Sequence, residues 1–266
     1  MAEKLIPLYN HPDRVMRVAG LMSGSGSNLR KIIEHELHLN QEVGHSYFHV
    51  AVIFSDNSES NAVKIGNDYD IPVLIRDKKA FYKKRGKPLK DMQVRAEFDA
   101  LTVRTLSTYE CPVAAYAGYM SIASPILVNT FLGVNVHPAD LSITDESGKR
   151  KYIGDHAVLD ALVAKEKELR SSTHLITNQV DGGPVLMISA PVNVTHDISA
   201  FTGINTALNS LNQVADLYQN KLKEVGDWVV FPRTLEDIAA GRFSKDSNGN
   251  LYYGENPIPF GIRPFG

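Results

Sequence analysis

Residues 14–33 read RVMRVAGLMSGSGSNLRKII, and how they are read decides the fold. The apolar run RVMRVAGLM predicts a strand, and Asn28 to about Leu37 predicts a helix. Between them stands Ser23-Gly24-Ser25-Gly26-Ser27-Asn28. Glycines after a strand let backbone N–H groups approach an anion, and the helix N-terminus adds partial positive charge. No Gly-Lys-Ser/Thr follows, so the turn is not a P-loop. Leu29 stands where GxGxxG would place its third glycine, so a dinucleotide fingerprint is incomplete. A single phosphate held by Gly26, Ser27 and Asn28 suits the turn. The alternative is a flexible loop with Ser27 or Asn28 capping the helix.

Outward from this unit the alternation continues. FHVAVIF predicts a second strand, then the turn-rich SDNSES and a helix over Asn61 to Tyr69. IPVLI predicts a third strand. RDKKAFYKKRGKP reads as a polar connection to a long helix from Leu89 to Tyr109. PVAAYAGYM reads as a buried strand, SPILVNTFL as a helix starting near Ser124 and Pro125, and GVNVH as a short strand. Strands alternating with helices predict a Rossmann-like α/β fold, a mostly parallel sheet with helices on both faces.

The second half changes character. A helix is expected over Asp155 to Leu169. SSTHLIT and GPVLMISAPVNV, separated by NQVDGG, are expected to pair as an antiparallel C-terminal extension of one continuous sheet. Helices over about Ser199 to Val225 and Arg233 to Ala240 follow, and SKDSNGNLYYGE predicts a small terminal hairpin. The expectation is a single domain over residues 1–266.

The chain has 266 residues, 43% hydrophobic and 22% charged, with a formal charge of -2, which offers no argument for nucleic acid as a partner. A lone cysteine, Cys111, rules out an internal disulfide and fits a reducing cytoplasm. The N-terminus is charged and lacks the apolar core of a signal peptide, and no stretch is apolar enough to span a membrane.

Three residues at expected strand ends carry chemistry. Asn135 and His137 in GVNVHPAD stand two apart and so project from one strand face, and Pro138 ends the strand. Asp181 opens the turn Asp-Gly-Gly-Pro. Each alone suits an ordinary turn or loop role. Together they suit acyl transfer to an amine. An Asn amide can stabilise a tetrahedral oxyanion, His can move protons, and a carboxylate can raise the imidazole pKa, orient the ring and order a relay water. There is no G-x-S-x-G elbow for a covalent nucleophile, and no H-E-x-x-H or similar metal cluster.

Gly24-Ser-Gly-Ser-Asn-Leu29, Asn135-Val-His-Pro138 and Asp181-Gly-Gly-Pro184 stand in the order and approximate spacing of the folate-dependent formyltransferases, which the chain resembles from about Arg17 to Val194, with a weaker continuation to Arg242. The glycine-rich turn is most similar to that of members whose acceptor is 5-phosphoribosylglycinamide, at the third step of purine synthesis. The resemblance implies that 10-formyltetrahydrofolate is the co-substrate, with no metal. It implies a glycine-rich phosphate-binding half over about 16–130, a catalytic and folate-binding half over about 131–242, and a terminal hairpin or tail over 243–266. Asn135, His137 and Asp181 match the catalytic trio, and Gly26, Ser27 and Asn28 the phosphate cradle. Met120, Ser121 and Ile122 match a segment that reads the pterin, with Thr177, Asn178, Gln179 and Val180 on its other side. Arg95 is similar to an arginine near the folate. Asp227 falls where the family has a glutamate on the acceptor amine side. The partners implied are the two small molecules, with neither nucleic acid nor membrane, and a homodimer is an allowed assembly.

The chain also departs from the family pattern. After His-Pro the family usually continues Ser-Leu-Leu-Pro and then Lys-Tyr-Pro-Gly. Here Ala139 to Gly154 is longer, and Ile153 replaces a proline, while Tyr152, Gly154 and His156 keep the frame. The inserted loop reads as a lid, a specificity element or a neutral insertion. Transfer to an amino sugar or another amine is a second enzyme reading, and a non-catalytic sugar-phosphate-binding module is a third. Only 22 residues precede Ser23, which reads against the deformylating relatives with their long preceding domain. The lack of a basic C-terminal domain reads against methionyl-tRNA formylation.

Overall fold

The computed structural model describes residues 4–11, 13–195 and 205–265, with side chains of 205–210 left aside. A short strand, β1 (Ile6–Pro7), precedes β2 (Met16–Met22), α1 (Ser27–Glu42), β3 (Phe48–Ser55), α2 (Ala62–Tyr69) and β4 (Val73–Ile75). Then come α3 (Lys78–Lys84), α4 (Met92–Leu106), β5 (Val113–Tyr116), α5 (Pro125–Thr130), β6 (Leu132–His137), α6 (Ala157–Val163), β7 (Glu168–Leu169), β8 (Ser172–Leu175), β9 (Val185–Ile188) and β10 (Val192–Asn193). The chain closes with α7 (Asn205–Leu222), a π turn at Lys223–Asp227, α8 (Trp228–Ala239), β11 (Phe243–Lys245), β12 (Leu251–Tyr253) and β13 (Asn256–Pro257).

The main sheet has seven strands in the order β4-β3-β2-β5-β6-β8-β9. The first five run parallel, and β8 and β9 are antiparallel additions. Strand alternation divides the side chains between two cores. Met16, Val18 and Met22 of β2 face a core shared with α1 and α8, and Ala19 and Leu21 face a second core with Phe98 of α4. Helices cover both faces, which is why β2 and β3 read as nearly continuous apolar runs.

Chain order reverses at β2: β3 and β4 lie on one side of it, β5 and β6 on the other. Ligands of open α/β sheets bind at such a reversal, outside the carboxyl ends of the strands. The glycine-rich turn leaves β2 there, and residues 117–123 leave β5 beside it.

Several expectations are corrected. The sheet is not one continuous surface: β1, β11, β12 and β13 form a separate four-stranded antiparallel sheet, and β10 pairs with β7 in a two-stranded ribbon. RDKKAFYKKRGKP contains α3, which buries Tyr82 and is capped by Asp77 accepting from Ala80 N–H. The helix expected to reach Leu169 ends at Val163. Lys165 turns the chain with φ +60°, and Leu169 pairs in β7. The last long helix begins at Trp228, with Pro232 inside it one turn after the π turn, where the helical register is already shifted. The expected helix start at Ser199 lies outside the described residues.

Candidate active site

A cleft of about 540 Å³ lies at the carboxyl end of the sheet. It is lined by the glycine-rich turn, residues 116–123, Asn135 to Pro138, Gly154, Asp155, residues 176–181 and the π turn's Lys223 and Asp227.

At one end is the start of α1. Gly26 is the N-cap, in the left-handed region at φ +69°, and no side chain caps the helix. Ser27 and Asn28 are therefore helical residues rather than caps, and the first-turn N–H groups have no intrahelical partner. The turn's carbonyls are held from behind. Asn57 Nδ2 donates to Ser23 O at 2.9 Å, Asn61 N to Gly24 O at 3.1 Å and Asn61 Nδ2 to Ser25 O at 3.3 Å. With those oxygens engaged, the opposite edge of the turn is left to the cleft, an arrangement that suits an anion. Gly26 itself is required by packing. A Cβ there would lie 2.4 Å from Ile65 Cδ1 and 2.7 Å from Met22 Cε, inside the core rather than against a ligand.

Opposite the turn, Asn28 Nδ2 donates to Asp227 Oδ2 at 3.4 Å. Burial pushes the Asp227 carboxyl pKa up. Asn28 Oδ1 and Asp227 Oδ1 are buried without a hydrogen-bond partner among the described residues.

At the other end stand the three strand-end residues, which the fold brings together. His137 Nδ1 lies 3.5 Å from Asp181 Oδ2, and His137 Nε2 donates to Tyr152 O at 2.9 Å. Asp181 Oδ2 accepts from Gly154 N–H at 2.8 Å. Asp181 adopts φ +48°, a strained region for a residue with a Cβ. Gly183 beside it has no alternative, since a Cβ would lie 1.8 Å from Leu175 O. The expected effect of Asp181 on His137 is present but outweighed: burial pulls the imidazole pKa below its ordinary value, against the carboxylate's upward pull.

Sequence reasoning missed His174. In the β6–β8 pairing it lies directly opposite Asn135. Its Nδ1 donates to Leu175 O at 3.0 Å, which leaves the Nε2 lone pair to accept from Asn135 Nδ2 at 3.3 Å. Burial pushes His174 down to about 4, so it stays neutral and orients the Asn135 amide. Its signal in SSTHLIT emerges only once the strand register is known.

The folate-side expectations divide. Met120, Ser121, Ile122, Thr177, Asn178, Gln179 and Val180 all line the cleft. Met120 and Ile122 are 70% and 65% exposed, two apolar side chains standing at the rim. The Ser121 hydroxyl is committed: it donates to Asp56 Oδ2 and accepts from Lys78 Nζ. Ser23 Oγ donates to the same Asp56 at 2.6 Å and accepts from Met120 N–H at 3.0 Å, which ties the two walls together. Arg95 is corrected. It does not line the cleft but is buried behind it, donating from Nε to Asp99 Oδ2 at 3.0 Å and from Nη2 to Tyr119 OH at 2.6 Å. A guanidinium taken from water needs such partners, and these direct it into the wall.

Among the described residues no group of His, Cys, Asp and Glu is arranged to hold a metal. No helix among them is long and apolar enough to cross a membrane.

Known proteins share the family and the fold of this chain. A family profile described as Formyl transferase matches residues 16–212. Phosphoribosylglycinamide formyltransferase of Escherichia coli (strain K12) is 28% identical over 174 residues, covering 65% of this chain and 71% of that protein. The trifunctional purine biosynthetic protein adenosine-3 of Drosophila melanogaster is 28% identical over 179 residues, covering 66% of this chain and 12% of that protein. The solved structure of phosphoribosylglycinamide formyltransferase from Coxiella burnetii aligns over 95% of this chain and 100% of its own, with a TM-score of 0.70 and 20% identity, a likeness of fold.

Proposed function

Because this chain belongs to the formyl transferase family, we propose that it moves a formyl group from 10-formyltetrahydrofolate to the amine of 5-phosphoribosylglycinamide in purine biosynthesis. The observation that carries the reading is a single cleft with an uncapped helix N-terminus at one end and Asn135, His137 and Asp181 at the other.

In this reading the acceptor's phosphate sits on the backbone N–H groups of Gly26, Ser27 and Asn28. Asp227, part of the cleft lining, lies on the acceptor's amine side. The folate ring lies between Met120 to Ile122 and Thr177 to Val180. The acceptor amine attacks the formyl carbon directly. The carbonyl oxygen becomes an oxyanion that accepts from Asn135 Nδ2, held by His174. Neutral His137 takes the amine's proton on Nδ1, its Nε2–H fixed on Tyr152 O, and Asp181 stabilises the imidazolium so formed. That proton then passes to the departing folate nitrogen, and the tetrahedral intermediate collapses to a formamide and tetrahydrofolate. No covalent enzyme intermediate is needed. The buried free thiol of Cys111 fits a reducing compartment, the cytoplasm.

The test is incubation with 10-formyltetrahydrofolate and a panel of amines containing 5-phosphoribosylglycinamide, an amino sugar phosphate and methionine, with tetrahydrofolate release followed optically. The reading expects release with the first alone. Release with the amino sugar phosphate alone would replace the acceptor, and release with none would remove the formyl-transfer reading.

A further inference from the structure

The segment that departs most from the family pattern, Asp140 to Arg150, leaves directly after His137-Pro138-Ala139 and is fixed at both ends. At its start, Ser172 Oγ donates to Ala139 O at 2.7 Å and accepts from Leu141 N–H at 3.0 Å. Leu141 is buried with Val185 and Ile188. Asp140 Oδ2 accepts from Arg263 Nη2 at 2.8 Å, which brings the chain's last residues onto the loop. The tip is internally closed: Asp145 Oδ1 accepts from Ser147 N–H at 2.8 Å and Lys149 N–H at 3.0 Å, and Thr144 bridges to Arg150. Such a segment is a hairpin closed by its own hydrogen bonds.

Its far end points back at the site. Arg150 Nη1 donates to Asp181 O, and Nη2 donates to Gly183 O at 2.7 Å. Those two carbonyls belong to the turn that holds Asp181 in its strained backbone conformation. A planar guanidinium can serve two diverging oxygens in a fixed geometry, and a lysine ammonium cannot do so with the same rigidity. We propose that Arg150 is a positioning residue: it clamps the Asp181–Gly183 backbone and so sets the Asp181 carboxylate between His137 and His174. Arg150 is not placed on either substrate. The consequence for turnover rests on the formyl-transfer reading, but the clamp itself does not.

Two variants separate charge from geometry. Arg150→Met removes both, and Arg150→Lys keeps the charge while weakening the two-point clamp. In the substrate-free protein, the Gly182 amide, whose N–H donates to Gln179 O at 3.1 Å, should exchange roughly 10-fold faster or more in Arg150→Met and less so in Arg150→Lys. The histidine titrations are read by NMR. His137 is faced by Asp181, Arg150, Asp155 and His174, and His174 by Asp181, His137 and Arg150. Loss of the guanidinium charge by itself raises both midpoints, whereas displacement of the Asp181 carboxylate lowers them, so Arg150→Lys, which keeps the charge, should show a lowered His137 midpoint if the clamp sets Asp181. Under turnover, kcat should fall roughly 10- to 100-fold in Arg150→Met, the scale of a misplaced catalytic group. KM for both substrates should stay within about twofold, and Arg150→Lys should recover part of the rate. Folded Arg150→Met with wild-type exchange at Gly182 overturns the clamp, as does a loss confined to KM. If the exchange and titration changes appear but the wild type transfers no formyl group, the clamp stands and the formyl-transfer reading falls.

Discussion

Replacing His174 with Leu should flatten the acid side of the stability curve. His174 is buried with its pKa pushed down from 6.5 to about 4, while the unfolded chain keeps the ordinary value. Between those values the unfolded state binds a proton that the folded state refuses. The folded-state advantage is therefore complete above about pH 6.5 and is lost as pH falls toward 4. At 1.36 kcal/mol per unit, lowering the pH from 7 to 4.5 costs the wild type roughly 2–3 kcal/mol through this side chain. His137, also depressed by burial, adds to the slope in both proteins. The assay is urea unfolding of wild type and His174→Leu at the two pH values. The difference of differences, roughly 2–3 kcal/mol, reports His174 together with its coupling to His137 and Asp181. The variant starts less stable at neutral pH, because Asn135 Nδ2 loses its acceptor, so the two curves approach each other in acid. Equal pH slopes would show that His174 is not held neutral in the folded state. The proposed orientation of the Asn135 amide would fall with it.

Turnover should also depend on pH through His137. With the neutral imidazole as the base, kcat/KM should be flat above neutrality and fall as pH drops through a midpoint below 6.5, since burial lowers this group; a midpoint above neutrality would refute the assignment. Gly26→Ala should cost roughly 1–3 kcal/mol, from the positive φ and the contacts with Ile65 and Met22, whereas Gly24→Ala, with open space at its Cβ, should stay within about 0.5 kcal/mol in thermal or urea melts. Inorganic phosphate should inhibit competitively against the acceptor and not against the folate. The reverse pattern would move the anion site away from α1.

The α/β reading was legible because the parallel strands are buried on both faces, which leaves runs such as VAVIF with no polar face to confuse them. The stretch Ser23 to Asn28 was legible as a glycine-rich turn from strand to helix, but the packing around Gly26 was not, since Ile65 and Met22 approach it from neighbouring elements. The glycine looks chosen for a ligand and is required by the core behind it. In α3 the lysines hid a helix whose one buried face is carried by Tyr82. The helix expected to continue to Leu169 followed composition past Val163, and only the pairing of Leu169 with Val192 reveals the break. Asn135 and His137 could be placed on one face from their spacing alone. His174 could not be added, because its place opposite Asn135 depends on the register of a strand joined through distant chain. Arg95 was placed near the folate by resemblance alone, and the sequence did not show that its guanidinium turns to a carboxylate on its own helix. Here Asp99, one helical turn away, supplies it.

The central claim is that Asn135, His137 and Asp181 transfer formyl directly to an amine. The measurement that tests it is carbon-13 NMR of a donor labelled at the formyl carbon, mixed with 5-phosphoribosylglycinamide and either wild type or folded Asn135→Ala. The account predicts a formamide signal appearing one for one with tetrahydrofolate in the wild type, and about 10²- to 10³-fold more slowly in the variant. A wild type that yields labelled formate without formamide, or an Asn135→Ala protein that transfers at the wild-type rate, would contradict it.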